Sequence, residues 1–376
     1  MDTIIVIGGG LMGAAIAWRL AERGHSVTVV EGPGPITGPG ATAAWASAGM
    51  LAPVTETTFT ETTLLELNLA SLERWPAFAE ELRAAGGDPG YRTASTISVA
   101  QAPDDAVRLH DFADFCDAQN LPIQPLTSRE VRAREPLLSP KVRSGLLVDA
   151  DVSIDNRMLW RALVTAATAA GARFIPGSVT AVTTDDTRAT GVRTDDGSTF
   201  PARHIVLAAG AWSGSIDLPV TVPVRPVKGQ ILRLDAGRLP QLSHTVRAFS
   251  HGAEVYLVPR THGEVVVGAT VEEQGFDTRV TADGAWSLLR DARQVFPLSA
   301  EYTVAEFSVG FRPGSSDNAP FLGASGVDGL TLACGHHRNG VLLVPLTADI
   351  ISTWICDGTV NDLARKFTLA RLEEDA

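Results

Sequence analysis

A glycine turn set between an apolar strand and an apolar helix restricts this chain more than any other feature. Residues 3–8 (TIIVIG) form an apolar, β-branched run, Leu11 to Arg23 carries helical periodicity ended by Gly24, and Ser26 to Val30 is a second apolar run. That order is a βαβ unit, and strands that are continuously apolar rather than alternating are covered on both faces. Gly8, Gly10 and Gly13 place GxGxxG in the turn. The first glycine permits a tight turn, the second lets a pyrophosphate reach the backbone, and the third lets helix and strand pack closely. The free N–H groups around Leu11 and Met12 and the positive end of the helix dipole then favour phosphate.

Glu31 stands at the end of the second strand. An acid there accepts hydrogen bonds from a ribose 2′-OH and argues against NADP. The fingerprint specifies a dinucleotide without separating NAD from FAD. Residues 32–53 weigh toward FAD: they are almost all Gly, Ala, Ser, Thr and Pro, where a nicotinamide domain would soon enter another helix and strand. Small side chains let backbone amides approach a ligand. A flavin also needs a remote segment that returns to hold its isoalloxazine, which suits the 42–51 stretch and the 335–343 turn.

A chain of 376 residues exceeds the size at which one core keeps growing, so two domains are expected. The net charge of −12 argues against a nucleic-acid partner and for a small molecule. The opening MDTIIVIGG is too short in its apolar run, and lacks the basic flank, for a secretory signal. No apolar run is long enough to span a bilayer; the 341–354 region is broken by Pro345, Thr347 and Asp349. Cys116, Cys334 and Cys356 are too few and too odd for a disulfide framework, which points to a reducing compartment and to the cytoplasm.

Helical periodicity recurs at Leu65, Leu69, Leu72, Phe78 and Leu82, with Pro76 marking a kink or a new start, and at Leu109, Phe112 and Cys116. Residues 156–171 predict another helix, Asp195-Asp196-Gly197 a hairpin, and 204–212 a buried strand. Val224 to Thr270 is strand-rich, and 281–296 reads as a helix with Leu288, Leu289, Ala292 and Val295 inward. Pro345 fits only a first helical turn, so the last helix should begin near 341–343.

Eight segments are together similar to the D-amino acid oxidase superfamily, nearest its glycine-oxidising branch: GGGLMG at 8–13, WASAGML at 45–51, AAGAWSG at 208–214, PVKGQ at 226–230, YLVPR at 256–260, VVGAT at 266–270, GFRPGSSDNAPFLG at 310–323 and GHHRNGVLLVP at 335–345. The resemblance implies an α/β, two-domain (α+β) fold. A discontinuous Rossmann-type FAD-binding domain (1–85, 141–222, 305–376) would carry an inserted mixed-sheet substrate-binding domain (86–140, 223–304). It further implies oxidation of glycine, with sarcosine and small D-amino acids as lesser substrates, to an imine with O2 reduced to H2O2, the imine feeding the thiazole of thiamine.

The same resemblance assigns substrate contacts to Arg312, Tyr256, Arg338 and Met50. FAD contacts fall at Gly8, Gly10, Leu11, Met12, Gly13 and Glu31, then at Thr42, Ala46, Ser47, Ala48, Gly49 and Met50. Further along they fall at Val179, Ala209, Gly210 and Trp212, and on the returning turn at His337, Arg338, Asn339, Gly340, Val341 and Leu342. An arginine is the natural clamp for an α-carboxylate because its planar fork pairs with both oxygens. No side chain need act as general acid or base, since a neutral amine can expel hydride as the imine forms. His336 and His337 have no neighbours at metal-ligand spacing, and a metal is not expected.

FAD should be non-covalent, because the cysteine that tethers flavin in related sarcosine oxidases is absent around Gly310-Phe311-Arg312. Glu254 and Val271 flank the substrate strand where glycine oxidases can carry other residues, a departure that bears on the preferred amine. A quinone-linked D-amino acid or sarcosine dehydrogenase on the same fold, a nicotinamide-dependent dehydrogenase and a non-catalytic nucleotide-binding protein stand as alternatives. A homo-oligomer is compatible with all of them.

Overall fold

In the computed structural model, residues 3–32, 42–250 and 252–374 are described; positions 33–41 of the small-residue segment lie outside them. The N-terminal unit folds as its pattern requires. Strand Thr3–Ile7 pairs in parallel with Ser26–Glu31 on one side and His204–Leu207 on the other. Arg173–Pro176 and Leu330–Cys334 extend the sheet in parallel, and Phe321–Ala324 closes one edge antiparallel.

Both faces are covered, which explains the unbroken apolar strands. Ile4 and Val6 pack on helices Leu11–Glu22, Thr62–Gly86, Asn156–Ala169 and Val344–Asp357. Ile5 and Ile7 pack on the opposite layer, which includes Val182, Ala189 and Val192 from a three-stranded antiparallel sheet. The hairpin expected at Asp195-Asp196-Gly197 joins two of those strands. Pro76 sits inside one continuous helix, Thr62–Gly86, and does not divide it.

The second sheet is mixed and eight-stranded. Its long strand Arg225–Asp235, second from one edge, alternates: Leu232 and Leu234 face helix Ala282–Val295, while Ile231 faces Ala46, Ala48 and Met50. Leu289, expected inward on that helix, is exposed, because the buried stripe runs along Leu288, Ala292 and Val295.

The sheets do not divide at the sequence boundaries. Ser144–Val148 pairs with Thr96–Ala100, and Thr303–Gly314 pairs along the whole of Arg225–Asp235, so both belong to the larger sheet although they fall inside 141–222 and across 305. Apolar pattern marks a strand but does not choose its partner. The last long helix starts at Val344, with Pro345 in its first turn, slightly later than expected.

Gly13 shows what holds the first unit together. A β-carbon there would overlap the carbonyl oxygen of Gly8, a backbone atom that no rotamer change can move. Helix propensity alone would favour alanine by about 1 kcal/mol. Gly13→Ala is nevertheless expected to cost about 1–3 kcal/mol net through overpacking, read as a lower urea midpoint at unchanged m-value.

Candidate active site

Where the two sheets meet lies a cavity of about 690 Å³. One end is walled by Gly8, Gly10, Leu11, Met12 and Glu31. Gly10 caps helix Leu11–Glu22 without any side-chain hydrogen bond to the first turn, and a β-carbon on it would meet nothing, so the helix N-terminus opens onto free space. Glu31 accepts a hydrogen bond from the Gly9 amide. Burial raises the carboxyl's pKa, and that amide opposes the shift.

Thr42 caps the short helix Ala43–Ala46, and Ala46, Ser47, Ala48, Gly49 and Met50 continue along the wall. Gly49 is required twice over: its φ is +71°, and a β-carbon would overlap the Ile154 carbonyl. Ala209, Gly210 and Trp212 line the next stretch, with Trp212 stacked on Phe276 at 5.1 Å between ring centroids. His337, Arg338, Asn339, Gly340, Val341 and Leu342 close the wall from the far end of the chain. That turn is pinned from behind, since the Leu342 carbonyl accepts from Ser71 Oγ at 2.7 Å and from Trp75 Nε1 at 2.8 Å.

Two sequence-assigned residues do not line the cavity. Gly13 lies behind Gly8 in the helix–strand contact, and Val179 begins strand Val179–Thr184, outside the wall.

At the other end stand Tyr256, Arg312, Arg338 and Met50. The Tyr256 ring lies across Gly268, where a β-carbon would overlap it. Burial raises the Tyr256 pKa while Arg312 and Arg247 beside it pull the other way, and the hydroxyl keeps its proton. Arg312 Nη1 donates to the Thr270 carbonyl at 3.2 Å and faces Lys228 O at 3.5 Å. No carboxylate among the described residues pairs with Arg312, whereas Arg338 Nη2 is bonded to Glu61 at 3.0 Å.

Arg247 and Glu56 also line this end, and sequence reasoning passed over both. Alternation in TVRAFS was the available signal for Arg247, because Val246 and Ala248 turn to the helix side. Glu56 sits in a turn with no such signal. His336 is fully enclosed, with Nε2 3.1 Å from Thr347 Oγ1, and burial pushes it down to about 3. Burial, then Arg338 and Arg312, pushes His337 down to about 4. Neither imidazole is cationic at neutral pH.

The chain belongs to the DAO family of FAD dependent oxidoreductases, whose model matches residues 3–354. It is 36% identical over 376 residues to the bifunctional protein ThiO/ThiG of Synechocystis, covering 98% of this chain and 54% of that one. Glycine oxidase of Geobacillus kaustophilus is 35% identical over 383 residues, covering 98% of this chain and 96% of that protein. A crystal structure of glycine oxidase from Geobacillus kaustophilus superposes with a TM-score of 0.89 at 32% identity over 99% of both chains. The chain thus spans about half the length of the bifunctional relatives it matches.

The residues present fit FAD. The open helix terminus and Glu31 suit a pyrophosphate and a ribose. Ser47 Oγ, His337 Nδ1 and Arg338 Nε are buried without a hydrogen-bond partner and belong to residues that line the cavity. No cysteine lines it; Cys334 lies in the strand beneath, its thiol pushed up to about 12 by burial. Among the described residues no helix is long and apolar enough to cross a membrane.

The enclosed His336 links stability to pH. Its folded pKa lies below the unfolded value near 6.5, so the unfolded chain binds the extra proton between that value and about 3. Stability is full above 6.5 and falls as pH drops through that window, by up to about 1.4 kcal/mol per unit. Unfolding free energies measured at pH 4, 5 and 6 should therefore slope one proton less steeply in His336→Asn than in the native chain.

Proposed function

We propose that this chain oxidises glycine, with sarcosine and small D-amino acids as lesser substrates, using non-covalent FAD and O2. The observation that carries the reading is Arg312: a guanidinium in the cavity wall, beside the Tyr256 hydroxyl, lacking a carboxylate of its own among the described residues. A cation left without a counter-charge in a largely enclosed site is a place for a ligand's anion. The similarity to glycine oxidase over nearly the full length of both chains supports the same substrate.

In this reading Arg312 takes the substrate carboxylate through its planar fork and Tyr256 donates its hydroxyl proton to the same group. Met50, packed with Ile231, Ala46 and Ala48, bounds the space beside the α-carbon, and Arg338 borders it from the returning turn. When bound, FAD supplies the acceptor for the α-hydrogen as hydride and hands the electron pair to O2, giving H2O2. The amine lone pair becomes the C=N bond as the C–H bond breaks, and the iminium proton goes to water. Neutral His336 and His337 add no positive charge that would compete for the carboxylate. The bifunctional ThiO/ThiG relatives support a role in thiamine biosynthesis, in which the imine goes to thiazole formation; the cytoplasm is the compartment proposed for it.

The site residues assigned from sequence, Val179 and Gly13 included, are proposed in the same roles, Gly13 through packing. Anaerobic titration of the yellow protein with glycine, sarcosine, D-alanine and D-proline should bleach the flavin, most readily with glycine. Bleaching by none of them ends the amino acid reading. Peroxide-free turnover with an artificial acceptor would move the chain to the dehydrogenases. Arg312→Ala should raise the glycine KM by at least 100-fold, the loss of a charge-assisted pair of about 3 kcal/mol, while FAD affinity changes little. Equal loss of both would make Arg312 structural.

A further inference from the structure

The cavity contains a second guanidinium poised for an anion, and the chain has covered it. Arg247 stands directly opposite Tyr256 in the antiparallel pair Thr245–Ser250 and Ala253–Pro259, so the two side chains share the cavity face. Residues opposite one another in such a pair have β-carbons about 4.5–5.5 Å apart. A carboxylate held by Tyr256 and Arg312 therefore lies within one small molecule of Arg247.

The three cavity arginines differ in their partners. Arg312 has no carboxylate partner among the described residues, and Arg338 is held by Glu61. Arg247 meets the Glu56 carboxylate in direct contact and Glu254 at 4.0 Å, and Glu254 is itself bonded to Arg108 at the surface. Arg247, Arg108, Glu56 and Glu254 sum to zero charge.

Glu56 is not a surface carboxylate that happens to reach inward. Asp151, wholly buried, accepts from Val54 N at 3.1 Å and from Thr55 N and Oγ1 at 2.6 Å each, and Glu56 N closes the turn onto Ala52 O at 3.1 Å. The turn delivers Glu56 to Arg247 and holds it there, with the glutamate side chain only 14% exposed.

We propose that Glu56 masks Arg247, a latent second carboxylate subsite, and so confines the enzyme to amines bearing a single carboxylate. This rests on the amino acid oxidase reading. A substrate with a second carboxylate would find Arg247 already against Glu56 and would meet Glu254 close by, and would have to break a largely buried contact to bind. Removing the Glu56 charge leaves Arg247 bare on the same wall as Tyr256. The favoured substrate class then shifts toward amines flanked by two carboxymethyl groups.

The experiment uses flavin-loaded wild type, E56Q, E56A, R247M and E56Q/R247M. Each is reduced anaerobically with glycine and with iminodiacetate, and separately titrated with acetate and malonate, which perturb flavin absorbance without reacting. Both E56Q and E56A should raise the iminodiacetate-to-glycine ratio of kcat/KM at least tenfold and shift the malonate-to-acetate affinity ratio the same way. R247M should not exceed wild type, and E56Q/R247M should lose the gain.

Ratios within twofold of wild type in E56Q and E56A, or a gain that survives R247M, would overturn the mask. A pair that merely stapled the turn to the sheet would alter both substrates alike and leave the ratios unmoved. If no amine bleaches any variant, the oxidase reading has failed, and the acetate and malonate titrations still decide whether Arg247 is masked.

Discussion

Two guanidinium groups buried beneath the 44–48 backbone fasten that stretch of the cavity wall to the eight-stranded sheet. Arg260 donates to Ala48 O at 2.8 Å and to Ile154 O at 2.9 Å, and Arg233 reaches Trp45 O at 3.3 Å. Asn156 sits between them, accepting from Arg260 at 3.0 Å and donating to Ala44 O at 2.7 Å. Arg233 lies in the eight-stranded sheet and Arg260 directly follows one of its strands, while the Trp45 and Ala48 carbonyls belong to the 44–48 segment. Burial pushes Arg260 down to about 10, which leaves it cationic, with Asp155 and Glu264 as counter-charges. Because a peptide is planar and trans, a carbonyl drawn down toward an arginine turns the next N–H the opposite way. The Gly49 amide is thereby aimed away from Arg260, in a segment that lines the cavity.

The fully buried cations among the described residues are matched by carboxylates, whereas Arg312 in the cavity wall is not. Lys228, with no exposed side-chain surface, lies 3.2 Å from Asp277 and 3.5 Å from Glu272. Its strand neighbour Gly229 gives up its side chain to the Arg312 guanidinium, which a β-carbon would strike. Arg312 is thus held by backbone carbonyls and glycine packing alone. Backbone fixes its position without cancelling its charge, and an anion-binding group needs both.

Much of this was readable from the residues. The glycine turn, its flanking strands and Glu31 were specified because their reasons are local: a tight turn, a close contact and a helix end. The 42–51 and 335–343 segments were readable as cavity walls because small residues and a turn have few other uses in such numbers. Sheet membership was not, since Ser144–Val148 and Thr303–Gly314 carry strand patterns that suit either sheet and are sorted by partners far away in sequence. Leu289 lies about 100° round the helix from Leu288, off the stripe of Leu288, Ala292 and Val295 that packs on the sheet, and sequence periodicity does not say which edge of the stripe is covered. Arg247 and Glu56 escaped notice because each is ordinary alone, and only the folded chain brings them together across about 190 residues.

The returning turn at 337–342 gives the cavity wall an order in time. One wall is made of residues 8–12 and the opposite one of residues near the last long helix, with Trp75 and Ser71 pinning the latter through Leu342. A ribosome makes these walls hundreds of peptide bonds apart. Until the Leu342 segment has left the exit tunnel, the glycine turn can fold but faces an open side, and its helix terminus has nothing to enclose. A chain that ends before residue 337 lacks that wall of the cavity altogether.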